Sequence, residues 1–251
     1  MFYGRENERK KLCTMFHSDG QMISLIYGRR RIGKSELIKQ VLKETDIKSV
    51  YYECKQTTEQ NNVDSLAELI GEAFDFPKPA FENMEDLLCF LFQKSEKEPM
   101  ILVLDEYPYL RENSKGLDSV LQSVIDHYKD TSNMKLIVCG SYVDTMKALL
   151  ERQNPLYGRI DLTLNLKPMD YYDSALFYPE FSEEDKVRLF SVFGGIPYYN
   201  RLVDEKKSVR ENIIELIASS GARLENEVAM YLNSEIFSMK QKSENNWCLT
   251  Q

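Results

Sequence analysis

The chain divides into a first part in which short apolar runs alternate with helix-patterned stretches, and a second part patterned as helix alone. Met22 to Tyr27 is an apolar run of strand length, and Ser49 to Cys54 is rich in β-forming residues. Met100 to Glu106 and Lys135 to Cys139 are apolar almost throughout, the first ending in Asp105-Glu106 and the second running into Gly140-Ser141. Uninterrupted apolar strands are those buried on both faces of a parallel sheet. A fifth run, Ile160 to Leu166, alternates instead. Helical spacing marks Glu6 to Phe16, with an apolar face of Leu12, Met15 and Phe16, then Ser35 to Leu42, Asp64 to Phe74, Asn83 to Phe92, Leu117 to Tyr128 and Val143 to Leu150. Pro77 and Pro79 separate the third and fourth of these. Five strands separated by helices predict a doubly wound α/β sheet.

After Pro168 the pattern is helical. Ser182, with Asp185 three residues on, caps a helix Glu183 to Phe193 that stops at Gly194-Gly195. Further helices are predicted over Ser208 to Ala218 and Ala222 to Phe237, and the polar stretch Lys240 to Gln251 reads as a frayed tail. The organisation expected is a core over residues 1–168, a helical subdomain over 169–239 and a tail over 240–251.

The 251 residues suffice for one sizeable core with a small second unit. A net charge of −8 disfavours a surface given over to nucleic acid. The 5 cysteines have no paired spacing and only 2 histidines accompany them, so reduced thiols are expected rather than a zinc site or disulfides. Charge appears almost at once after Met1, and no apolar stretch is long enough to span a bilayer, which predicts a cytoplasmic chain without membrane insertion.

The most informative segment is Gly28-Arg29-Arg30-Arg31-Ile32-Gly33-Lys34-Ser35, of the form G-x-x-x-x-G-K-S, set between a strand and a helix. Glycines let backbone N–H groups approach a phosphate more closely than a Cβ allows. Lys34 supplies a cation for terminal phosphates, Ser35 a Mg²⁺ ligand, and the helix opening at Glu36 directs its positive end at the anion. Asp105 and Glu106 close the third strand at the edge where this loop opens. Asp105 is suited to hold Mg²⁺ through water and Glu106 to polarise an attacking water. Ser141, at the end of the fourth strand, would lie between loop and acids, as a γ-phosphate or water contact or as a helix N-cap. Arg159 is a candidate arginine finger or γ-phosphate sensor, with pairing to a surface acid as the plain alternative.

With these residues in place, three further motifs carry a resemblance. Phe2-Tyr3-Gly4-Arg5-Glu6-Asn7-Glu8, Leu156-Tyr157-Gly158-Arg159 and Gly194-Gly195-Ile196-Pro197-Tyr198-Tyr199 resemble, in consistent order over Phe2 to Leu202, signatures of the archaeal-type AAA ATPases within the STAND branch of P-loop NTPases. The resemblance implies a three-layer sandwich with a five-stranded parallel sheet in the order 5-1-4-3-2 and a C-terminal helical lid. It implies ATP as ligand with Mg²⁺, Tyr3, Gly4 and Arg5 beside the base, and Gly195 and Pro197 meeting it from the lid. Members commonly continue into a winged helix and a nuclease-like domain, a pattern from which this chain departs at Gln251.

The functional expectation is an ATP-binding, Mg²⁺-dependent hydrolase acting as a conformational switch, taking ATP and ADP and answering to an undetermined protein partner or a further copy of itself. The competing expectations are a nucleotide-gated interaction module with little turnover, a DNA-associated remodelling ATPase, and a phosphotransfer kinase, for which no acceptor site is legible.

Overall fold

Five strands, β1 (Met22–Tyr27), β2 (Lys48–Glu53), β3 (Met100–Asp105), β4 (Met134–Gly140) and β5 (Leu162–Asn165), form one sheet in the order β2-β3-β4-β1-β5. All neighbours are parallel, and read from the other edge the order is the expected 5-1-4-3-2. Every residue of β3 and β4 is buried, which is why those two segments read as apolar almost throughout. The expected fifth strand is shorter than its alternating pattern. Bonds from the Asp161 amide to Ile23 O (2.9 Å) and from Leu166 to Tyr27 O (2.8 Å) prolong its pairing beyond the regular ladder.

The computed structural model describes residues 2–227, which pack as two units, one ending at Pro168 and the other beginning at Met169. In the first unit the helices are α1 (Glu6–Phe16), α2 (Lys34–Leu42), α3 (Glu59–Phe74), α4 (Met84–Ser95), α5 (Tyr107–Asn113), α6 (Leu117–His127) and α7 (Val143–Ala148). One face of the sheet packs Leu25, Val50, Tyr52, Leu102, Leu104 and Leu136 with residues of α3, α4 and α6. The alternate residues Ile26, Ile101, Val103, Ile137 and Cys139 are buried as well, as are Leu12, Phe16, Leu37, Ile38 and Val41 of α1 and α2. This is the three-layer α/β sandwich. At the start of β4, buried Lys135 donates to Ser18 O (2.7 Å) and to Gly20 O, pinning the turn before β1.

Helix α5 has no counterpart in the sequence pattern. Asp105 and Glu106 end the strand, and Pro108 then sits in the first helical turn, where its missing N–H has no partner to lose. The second unit contains α8 (Tyr171–Ala175), α9 (Glu183–Phe193), α10 (Pro197–Asn200) and α11 (Val209–Ile213), the last running into a π turn over Ile214–Ala218. Ser182 caps α9 through the Asp185 amide (3.2 Å), and Ser208 with Glu211 forms a reciprocal capping box on α11. Tyr178, Leu189, Phe193 and Leu224 are the buried centre of this unit. The helix expected from Ala222 to Phe237 is replaced over 222–226 by turns. Its remainder, the tail over 240–251 and Cys248 lie outside the described residues. Among the described residues, no helix is long and apolar enough to cross a membrane.

Candidate functional site

Because β4 lies between β1 and β3, the carboxyl ends of the three strands bring the 28–35 loop, Ser141 and the pair Asp105-Glu106 to one edge. The glycines of the loop have distinct reasons. A Cβ on Gly28 would stand 2.6 Å from the Leu166 carbonyl oxygen, and Gly33, at φ 91°, takes the left-handed turn that opens α2. Arg31 is also left-handed (φ 66°), and Arg29, Arg30 and Arg31 are exposed while Ile32 is buried beneath them. Glu36, in the first turn of α2, is exposed.

Lys34 is 5% exposed, and its ammonium donates to Gly28 O (3.0 Å), Arg29 O (3.2 Å) and Ser141 Oγ (2.7 Å). Burial pulls its pKa below the ordinary lysine range, against the opposing charges of Glu106 and Asp105. Ser141 passes the chain onward: its Oγ donates to Glu106 Oε1 (2.5 Å) and its amide to Glu106 Oε2 (3.2 Å). The N-cap alternative for Ser141 is not realised, since α7 begins at Val143 behind Tyr142 without a side-chain cap. Glu106 itself has φ 51°, a conformation that costs a non-glycine residue about 1 kcal/mol and that aims its side chain back across the strand ends.

Beside this relay, Ser35 Oγ donates to Asp105 Oδ2 (2.6 Å), the Glu106 amide donates to Oδ1 (2.9 Å), and the Tyr51 hydroxyl donates to Oδ2 as well. Asp105 is 2% exposed. Among the described residues no group of three or more His, Cys, Asp or Glu could enclose a metal. One hydroxyl and one carboxylate in contact are nonetheless hard oxygen donors, and they fit a Mg²⁺ ion whose other positions are filled by water and phosphate. Tyr51 escaped the sequence reading because a tyrosine in a β-rich run signals only packing. Arg30 likewise gains partners invisible in sequence, donating to Tyr109 OH (2.8 Å) and lying over the Tyr142 ring at 5.8 Å.

For Arg159, a candidate arginine finger or γ-phosphate sensor, the structure shows the plain alternative of pairing with a surface acid. Its guanidinium pairs with both carboxylate oxygens of Asp126 (2.7 and 2.6 Å) and donates to the Pro155 and Tyr157 carbonyls. Asp161, two residues on, bonds to Ile23 near the start of β1, and Gln21 bonds to Ile125 O, so this pair sits at the amino edge of the sheet. The loop lies at the opposite edge, one six-residue strand away.

Arg5 is buried, with its guanidinium on Ile32 O (3.2 Å), Lys167 O (2.6 Å) and Glu8 (3.3 Å). It braces the loop from behind, and left-handed Gly4 and Arg5 (φ 64° and 62°) turn the chain from Tyr3 into α1. In the second unit, the Gly195 carbonyl accepts from the Met169 amide (2.8 Å), and a Cβ on Gly195 would lie 1.9 Å from Met169 O. Pro197 opens α10 at its first turn. Local packing thus accounts for both residues.

The comparisons agree with this geometry. A protein of Methanocaldococcus jannaschii described as uncharacterized is 30% identical over 200 residues, which cover 79% of this chain and 43% of that protein. The chain therefore spans less than half the length of that relative. Among solved structures, the Walker-type ATPase of Pyrococcus abyssi is similar at a TM-score of 0.63 with 19% identity, over 97% of this chain and 77% of that one. The ORC2 protein of Aeropyrum pernix, solved as ADPNP–ADP complexes, gives a TM-score of 0.58 with 17% identity, over 91% and 63%. Likeness at that identity speaks for the fold. The model of the ATPase domain found predominantly in Archaea matches residues 2–203, and this chain belongs to that family.

Proposed function

We propose that this chain binds ATP with Mg²⁺ on the 28–35 loop and hydrolyses it, and that the cycle of uptake and γ-phosphate loss works as a conformational switch. The observation that carries the reading is the continuous path Lys34–Ser141–Glu106, which joins a phosphate-binding cation to a carboxylate across one serine. The amides of the loop and the Lys34 ammonium would hold the terminal phosphates. Ser35 and Asp105 would hold the divalent ion, which neutralises charge on the phosphates when bound. Glu106 orients the attacking water and accepts its proton, with Ser141 fixing where that carboxylate points. Adenine as the base belongs to this proposal and is supported by the family resemblance, which implies Tyr3, Gly4, Gly195 and Pro197 as its contacts. A protein partner or a second copy is proposed as recipient of the switch, and the net charge of −8 gives DNA no support.

A second reading, a nucleotide-gated interaction module with slow turnover, is favoured by one observation: both Glu106 oxygens are already occupied by Ser141. Phosphate release by Glu106→Gln separates the two. A fall of about 10²-fold or more, with ATP still bound, is the outcome of a working general base. Undiminished hydrolysis by that variant removes Glu106 from the mechanism, and absence of turnover in the parent with ATP bound leaves the gated module. Loss of nucleotide uptake in Lys34→Ala is the companion result, and unchanged uptake would refute the loop as the binding site.

A further inference from the structure

We infer that Tyr51 is a positioning residue for the divalent ion: its hydroxyl holds the Asp105 carboxylate in the orientation in which that acid meets the metal. The inference rests on the reading of Asp105 as the metal-side acid.

Three features of the geometry carry it. In the β2–β3 register Tyr51 pairs with Val103 and Glu53 with Asp105, so Tyr51 and Asp105 project from the same face of adjacent strands, two positions apart. Asp105 is buried, and its two oxygens are divided: Oδ1 accepts the Glu106 amide, and Oδ2 accepts both Ser35 and Tyr51. Finally, the Tyr51 ring is itself held, with Lys39 Nζ of α2 5.0 Å from its centroid. The phenol therefore bridges the helix that begins at the loop and the strand that ends in the acids.

The two hydroxyls on Oδ2 differ in what ligand uptake asks of them. Ser35 is the hydroxyl assigned to the cation and turns its oxygen toward it, whereas Tyr51 is assigned no contact with the cation and keeps its bond to Asp105. It is the donor that persists through the cycle. Carboxylates at metal sites depend on such outer donors for orientation, and losing one costs about 10- to 100-fold in metal affinity or activity.

The test is Tyr51→Phe, which keeps the ring, the β2 packing and the Lys39 contact while removing only the hydroxyl. Calorimetric titration of Mg²⁺ into the ADP-bound chain should give an affinity about 10-fold weaker than the parent, with ADP affinity in chelator and the urea midpoint nearly unchanged. In steady state the Mg²⁺ concentration for half-maximal turnover should rise by a similar factor, and saturating Mg²⁺ should restore most of kcat. A purely structural tyrosine would lower the urea midpoint and metal-free ADP affinity together, and that result overturns the inference. Equal or tighter Mg²⁺ binding in Tyr51→Phe also overturns it while leaving the ATPase reading intact. A parent that takes up nucleotide without any Mg²⁺ dependence overturns it together with the metal role of Asp105.

Discussion

Ser141 holds both oxygens of Glu106, one through its hydroxyl at 2.5 Å and one through its amide at 3.2 Å. Only the first bond is open to substitution, and the same hydroxyl accepts from Lys34. Ser141→Ala should therefore uncouple the loop lysine from the acid while leaving the amide contact. We predict a fall in kcat of about 10-fold or more with ATP affinity within a few-fold of the parent, because the interaction lost is one of positioning rather than of ground-state binding. Equal losses in affinity and kcat would instead mark Ser141 as a simple phosphate contact.

Lys34 carries a prediction about the unliganded chain. Its pKa is depressed by burial, so its charged form is less favourable in the folded state than in the unfolded one. The folded state then releases its proton at lower pH than the unfolded chain, and stability contributed at this site rises as pH climbs from the folded pKa toward the unfolded value of about 10.4. Lys34→Met, free of that charge, should match or exceed the parent in urea unfolding at pH 7, with the difference shrinking toward pH 10. The same variant should lose the thermal shift that Mg–ADP gives the parent. A parent clearly more stable at neutral pH would mean that the three hydrogen bonds to Gly28, Arg29 and Ser141 outweigh the burial of the ammonium.

How much of this was legible in sequence follows from the kind of signal each element carries. β1, β3 and β4 announce themselves because near-complete burial makes them mostly apolar, and the loop because phosphate geometry fixes its glycines. Helix α5 was invisible because seven residues with a proline give no helical period, and its start depends on a left-handed Glu106. The relay from Lys34 to Glu106 was legible only as proximity, since strand order sets neighbours but no pattern specifies which oxygen a serine reaches. Tyr51 and Arg30 were beyond reach for the same reason: their partners are 54 and 79 residues away. For Arg159 the sequence left a phosphate contact and a surface ion pair both open, because a glycine–arginine pair before a strand says nothing about which edge of the sheet it faces.

Gly195 separates packing from ligand contact. With a Cβ 1.9 Å from the Met169 carbonyl oxygen, Gly195→Ala forces backbone movement at the start of the second unit. A cost of about 2–4 kcal/mol is expected, on the scale of severe overpacking, measured as a lowered thermal midpoint or early proteolysis of that unit. Gly158→Ala, left-handed at φ 74° with open space around it, should cost only about 1 kcal/mol. A Gly195→Ala variant of parental stability that had lost ADP affinity would point instead to direct contact with the nucleotide.

Arg159 and Asp126 give the clearest separation of edges. Their side chains are 27% and 47% exposed, so the pair is screened by solvent and contributes at most about 1 kcal/mol. The hydrogen bond from Arg159 lowers the Asp126 pKa, so the contribution is present above the unfolded aspartate pKa of about 3.9 and disappears as pH falls through the folded value. Arg159→Ala should thus lose a fraction of a kcal/mol at pH 7 and progressively less as pH falls through the lowered Asp126 pKa. Six residues of β1 span about 20 Å, beyond the reach of any arginine side chain, so turnover by the dilute monomer should be the same in Arg159→Ala and parent. A tenfold loss at high dilution would refute the pairing with Asp126 as the working state of the residue. If parental turnover climbs with protein concentration and that of Arg159→Ala does not, the arginine serves a neighbouring copy, and breaking its bond with Asp126 becomes part of assembly.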